Sequence, residues 1–111
     1  MDLQEIDIDQ LKGRLGSLKN YIDFPKLEKL LAGFEEKMSA PDFWDDKESA
    51  QKTVGEVSRI KGKLTPILGL DRRLEDLEVL LEMAADDQES AREAEAECAL
   101  LEKELDDVEL Q

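Results

Sequence analysis

Ile8, Leu11, Leu15, Leu18 and Ile22 recur at spacings of three and four, which gathers them on one side of a helix and predicts that helix over residues 6–22. Gly13 and Gly16 weaken it by about 1 kcal/mol each relative to alanine, so its stability has to come from packing. The stripe stops at Asp23-Phe24-Pro25, because a proline disfavours helical geometry at the residue before it, here Phe24, while fitting the first turn of the next helix itself. Leu27, Leu30, Leu31, Phe34 and Met38 make a second stripe, which Pro41 brings to an end near Ser39.

The third stripe is the longest. Asp45 is placed to cap it, with Glu48 three residues on reaching back in a capping box, and the acidic pair suits the positive end of a helix dipole. Val54, Val57, Ile60, Leu64, Ile67, Leu74, Leu77 and Leu81 then keep helical spacing to about residue 83, although Pro66 and Gly69 stand in the middle. A proline inside a helix costs about 3 kcal/mol or more, so two readings compete: a break into two helices, or one helix kinked at Pro66. Ile60, Ile67, Leu74 and Leu81 are each seven apart, and a loop has no need to preserve phase, which favours the kink. A helix of about 38 residues would be roughly 57 Å long and would make the domain a rod.

Asp86 is the expected cap of the last helix, with Glu89 in the capping-box position. Ala91, Ala94, Cys98, Leu101, Leu105 and Val108 follow at alternating spacings of three and four, a narrow coiled-coil-like seam. The short turn before it implies an antiparallel hairpin. The predicted fold is all-α: an elongated antiparallel bundle of three to four helices with one long helix and a C-terminal helical hairpin. Leu64, Leu74, Leu77, Leu101 and Leu105 are expected in one core. Phe43 and Trp44, on the turn before the long helix, read first as a hydrophobic plug over the bundle end and second as an exposed contact site.

Length and composition narrow the picture. A chain of 111 residues, 41% hydrophobic, is expected to form one domain over 1–111, with a single core and no cleft between domains. Fifteen Lys and Arg against 29 Asp and Glu give a formal net charge of -14, which opposes nucleic-acid binding by the surface as a whole. The charge is uneven: residues 86–111 hold eleven acidic and two basic residues, whereas 47–73 hold seven basic and three acidic. Lys52, Arg59 and Lys63, seven and four apart, can share a helix face, with Lys61, Arg72 and Arg73 extending the basic character. This pattern reads either as a solvated face paired with an acidic neighbouring helix or as a small RNA-contacting patch.

Candidate chemistry is sparse. The sequence has no histidine, Cys98 falls on the buried seam, the six glycines are dispersed, and the carboxylates of the last helix read as a solvated face rather than a metal-binding loop. The expectation is a protein that is not an enzyme and uses no cofactor. A single cysteine, and an acidic, interrupted opening MDLQEIDIDQ, point to the reduced cytoplasmic compartment.

The stretch LKNYIDFPKLEKLLAGFEEKMSAPDFWDDKESAQK resembles the N-terminal region of the bacterial class I peptide chain release factors. An aromatic residue precedes an acidic one at YID, an amphipathic Leu/Glu helix follows, then a proline shortly before a tryptophan, then a helix start with Ala50. The resemblance continues through LEDLEVLLEMAADDQESAREAEAECALLEKELDDVEL, and the P-D-F-W stretch favours the type 2 branch. It implies a factor that reads UAA or UGA through a Ser-Pro-Phe motif and promotes peptidyl-tRNA hydrolysis through a Gly-Gly-Gln motif. Neither motif occurs in this sequence, and the chain ends at VELQ, where the resemblance places the start of those domains. It is therefore expected to be an isolated first domain that cannot terminate translation alone. The resemblance further implies a monomeric helical arm at the base of the large-subunit stalk, touching the stalk-base ribosomal protein and rRNA and lying near the GTPase release factor. Two other readings stay open: an acidic coiled-coil adaptor or chaperone-like protein, and a regulatory subunit. An adaptor would dimerise through the Ala91–Val108 seam; an arm would bury that seam internally.

Overall fold

A computed structural model describes residues 6–110. They form four α-helices and one 3₁₀ turn, with no strand among the described residues: α1 Ile8–Ile22, α2 Phe24–Met38, the 3₁₀ turn Phe43–Asp45, α3 Lys47–Ala84 and α4 Gln88–Glu109. The fold is all-α, as predicted. No helix among the described residues is long and apolar enough to cross a membrane.

Asp7 starts α1. Its side chain accepts a hydrogen bond from the Gln10 N–H at 3.1 Å, and its carbonyl accepts from the Leu11 N–H at 3.2 Å. A single residue separates α1 from α2: Asp23 adopts the left-handed conformation, φ 55°, ψ 60°, which aspartate tolerates better than most residues. Its N–H donates to the Asn20 carbonyl at 3.2 Å while its own carbonyl accepts from Leu27 at 3.1 Å, closing one helix and opening the next. The break therefore lies at Asp23 and not at Phe24, which is already helical. Pro25 is accommodated in the first turn, where its missing N–H has no helical partner to lose.

The cap of α3 is Asp46 rather than Asp45. Asp45 is tied into the 3₁₀ turn by its N–H, which donates to the Asp42 carbonyl at 3.1 Å. Asp46, with the extended backbone a cap requires, accepts from the Ser49 N–H at 3.1 Å through its side chain and from the Ala50 N–H at 3.0 Å through its carbonyl. From there α3 runs for 38 residues as one helix with Pro66 inside it. Pro66 does not break it. Its buried positions are Ala50, Thr53, Val57, Ile60, Leu64, Ile67, Leu70, Leu74 and Leu77. Leu70, which the sequence stripe passed over, is fully buried, and it continues the stripe across the proline at two successive spacings of three, from Leu64 to Ile67 to Leu70.

Packing divides the chain into two units: Met1–Leu18 with Ile67–Gln111, and Lys19–Pro66. In the first unit Leu11 and Leu15 of α1, Ile67, Leu70, Leu74 and Leu77 of α3, and Ala94, Cys98, Leu101 and Leu105 of α4 are buried. The second half of α3 and α4 form the antiparallel hairpin. The α4 cap is Asp87, whose carboxylate accepts from the Glu89 N–H at 3.1 Å and the Ser90 hydroxyl at 2.9 Å. Asp86, the expected cap, is held in the turn that follows α3 instead, donating its N–H to the Met83 carbonyl at 3.2 Å.

The second unit buries Phe24, Leu27, Ala50, Thr53, Val57, Ile60 and Leu64. Leu30 and Val54, assigned to its stripes from spacing, are exposed. All five leucines expected in one core are buried, but Leu64 belongs to this unit and the other four to the first. Phe43 and Trp44 touch edge to face, with ring centroids 4.8 Å apart and planes at 87°. Phe43 is half-buried and Trp44 is 58% exposed, so the plug reading fails for Trp44. Adjacent side chains in a 3₁₀ turn point about 120° apart, and only one ring of the pair can turn inward.

Candidate functional site

Lys52, Arg59, Lys61 and Lys63 are all exposed on α3 within the second unit. The helix advances about 100° per residue, which groups Lys52, Arg59 and Lys63 on one face and turns Lys61 to the opposite side. The shared face is not purely cationic. Arg59 donates to Glu56 at 2.8 Å, one turn back, and this bond, with the charges of Arg59 and Lys52, holds the Glu56 carboxyl below its usual range.

The remaining two candidates lie in the first unit. Arg72 is exposed. Arg73 is half-buried and reaches across the hairpin to Glu97 at 3.3 Å and Glu104 at 3.0 Å, so its guanidinium serves the α3–α4 contact. The sequence could show that Arg73 was basic but not which carboxylates the hairpin register would bring to it.

Arg14 was not singled out from sequence, yet it has the densest polar contacts among the described residues. Its Nη2 donates to Asp106 at 2.7 Å and to Glu109 Oε1 at 2.6 Å, and its Nε donates to Glu109 Oε2 at 3.1 Å. A two-pronged bond to one carboxylate and a third to its neighbour tie α1 to the end of α4. The last turn of α4 has acidic residues and no basic one, so the negative end of that helix draws its counter-charge from α1. The Glu109 bond chiefly drives the Arg14 pKa further up. That unbalanced last turn is the signal that points to an outside cation. Lys12 adds a second tie, to Glu78 of α3 at 3.3 Å.

Cys98 is fully buried, and its thiol donates to Glu102 at 3.3 Å. Burial first, then Glu102, pushes its pKa up to about 11, which keeps it a thiol rather than a nucleophilic thiolate at neutral pH. Among the described residues no cluster of three or more His, Cys, Asp or Glu is placed to hold a metal ion.

Charge separates the units completely. The first holds twenty acidic and six basic residues and the second nine of each, so the whole formal net charge of -14 resides in the first. Tyr21, 85% exposed, and Trp44 are both in the neutral unit.

Comparison with known proteins places these features in a family. The PCRF domain family matches residues 27–111. Peptide chain release factor 2 of Streptomyces avermitilis is 35% identical over 112 residues, covering 99% of this chain and 30% of that protein. The protein of the same name from Clostridium perfringens strain SM101 is 36% identical over 105 residues, 94% of this chain and 29% of the relative. That of Mycobacterium avium is 37% identical over 94 residues, 85% of this chain and 25% of the relative. The chain thus spans less than a third of the length of these curated relatives. The family match runs from the first turn of α2 through α3 and the hairpin to the last residue, and the chain belongs to the PCRF domain family.

Proposed function

We propose that residues 1–111 are the N-terminal, ribosome-contacting domain of a translation termination factor of the release factor 2 type. The similarity that spans 99% of the chain, to a protein named peptide chain release factor 2, carries this reading. The complete factor would recognise UAA and UGA and promote peptidyl-tRNA hydrolysis in the cytoplasm. The Ser-Pro-Phe and Gly-Gly-Gln motifs are absent from this sequence, so this domain contributes binding and reach, not the reading or hydrolytic groups, and by itself is not an enzyme. Its partners would be the stalk-base protein and rRNA of the large subunit, with the GTPase release factor close by.

The surface supports a division of labour. Lys52, Arg59 and Lys63 stand on a unit with no net charge, where approach to RNA is not opposed and each phosphate contact releases counterions. The first unit, carrying the whole negative charge, would be held off RNA. Ala94, Cys98, Leu101 and Leu105 are buried within the chain, which favours a monomeric arm over an adaptor that dimerises through that seam.

The test is a chimera in which residues 1–111 replace the corresponding segment of a complete release factor 2. It should release peptide at UAA and UGA. Charge reversal of Lys52, Arg59 and Lys63 should slow ribosome association at low salt, with the effect shrinking as salt rises, while hydrolysis in the bound complex and codon choice are unchanged. A folded chimera inactive at both codons would sink the domain assignment. Unchanged association at low salt would remove only the basic face from it.

A further inference from the structure

On the hairpin of the first unit, Asp76, Val79 and Leu80 of α3 face Glu93, Ala96 and Glu97 of α4 across an open groove of about 560 Å³. Val79 is 54% exposed, and Met83 and Leu100, one turn further along their helices, are about half exposed. The hairpin's own seam is already filled by Leu74, Leu77, Cys98 and Leu101, so these outer apolar groups face water without a partner in the described chain. Contiguous exposed apolar groups rimmed by polar ones mark interaction surfaces. The rim here consists of Asp76, Glu93 and Glu97, the last shared with Arg73 at 3.3 Å.

We propose that this groove docks a basic amphipathic helix of a partner protein, its apolar side on Val79, Leu80 and Ala96 and its Lys or Arg side chains against Asp76 and Glu93. Two adjacent helices with apolar groups at three- and four-residue spacing present the kind of channel into which a helix lays anchors at i, i+3 or i+4, and i+7. Charge selects the occupant. A second copy would set Asp76, Glu93 and Glu97 near their own counterparts on an equally acidic unit, and a phosphate backbone or an anionic lipid surface would meet the same repulsion. A cationic helix gains both the apolar contact and the charge complementarity. This docking is independent of the role in termination, and the chain of 111 residues suffices to test it.

The probe is a fluorophore-labelled synthetic peptide of leucine and lysine with leucines at helical spacing, compared with a scrambled peptide of identical composition. At physiological ionic strength the ordered peptide should bind at least about tenfold more tightly. Val79→Gln with Met83→Gln, both at exposed positions and neutral in charge, should erase that preference while circular dichroism stays unchanged. Asp76→Asn with Glu93→Gln should weaken both peptides and flatten the salt dependence. Equal binding of the two peptides, or a preference that survives Val79→Gln with Met83→Gln, overturns the proposal. So does concentration-dependent dimerisation of the chain that those two substitutions abolish, since the occupant is then a second copy, and so does binding of anionic vesicles or RNA that they abolish.

Discussion

The two units are built from the same residue types in the same secondary structure, yet they solve different problems. The first carries the whole net charge and gathers most of the deeply buried side chains: of the largest fully buried ones, Leu11, Ile67, Leu70, Leu77, Cys98, Leu101 and Leu105 are in it and Ile60 alone is in the second. Its ion pairs cross between helices, from Lys12 to Glu78, from Arg14 to Asp106 and Glu109, and from Arg73 to Glu97 and Glu104. In the second unit Arg59 pairs with Glu56 inside one helix, and Tyr21 and Trp44 are left exposed. A unit with twenty acidic residues needs a well-filled seam and cations placed across it to offset self-repulsion. A neutral unit has no such demand and can leave aromatic side chains exposed.

Core truncation tests this contrast most strongly. Leu101→Ala, at a site 1% exposed, should destabilise the chain by about 2–5 kcal/mol in denaturant titration. Leu27→Ala, in the less deeply buried core of the second unit, should cost clearly less. Equal losses would mean that both units depend alike on their cores.

The next largest effect concerns accessibility. Cys98 alkylation at neutral pH should be at least about 100-fold slower in the native chain than in denaturant, because rate follows thiolate population and access. Trp44, by contrast, should be quenched by iodide almost as readily folded as unfolded. The Cys98 shift also carries a sign. A thiol raised from about 9 to about 11 in the folded state contributes stability fully present below pH about 9 and lost as pH rises through about 11. Stability curves of the parent and Cys98→Ala should therefore diverge on that alkaline limb. Fast alkylation of the native thiol would show that the seam opens.

Much of this was legible in the sequence. Apolar spacing located all four helices, and conserved phase across Pro66 foretold that α3 would be continuous. What failed was local competition between neighbours. Asp45 and Asp46, or Asp86 and Asp87, are equally good caps by type, and only the turns before them decide which one has the extended backbone. Trp44 was read as a plug because a large ring is apolar, but spacing does not show whether the fold provides a surface to receive it. Thr53 was passed over because a polar side chain leaves no hydrophobic signature, and Ala50 because it precedes the first large apolar residue of its stripe. For the candidate site, the grouping of Lys52, Arg59 and Lys63 followed from periodicity. The pairing of Arg14 and Arg73 depended on contacts up to 95 residues apart, which periodicity does not encode.

Removing the cross-helix cation gives a smaller effect than core truncation. Arg14→Met should cost about 1–2 kcal/mol, since three charge-assisted bonds are lost while the apolar stem is kept. Asp106 is largely exposed, so the loss should be visibly smaller at high salt, measured by denaturation at two ionic strengths. A loss independent of salt would assign the role of Arg14 to packing rather than charge.

The smallest effect belongs to the Arg59–Glu56 pair within α3. Arg59 lowers the Glu56 pKa in the folded state, so whatever this pair contributes is present above the usual glutamate range and fades as pH falls through the folded value. The pair is exposed and spans one turn of α3, a geometry in which solvent screens most of the attraction. Glu56→Gln should therefore leave the denaturation midpoint and its acid limb almost superimposable on the parent's. If the second unit instead relied on charge as the first does, the variant would lose stability at neutral pH and the gap would close on acidification. That outcome would erase the contrast between ion pairs that cross from helix to helix in the first unit and one that stays within a single helix in the second.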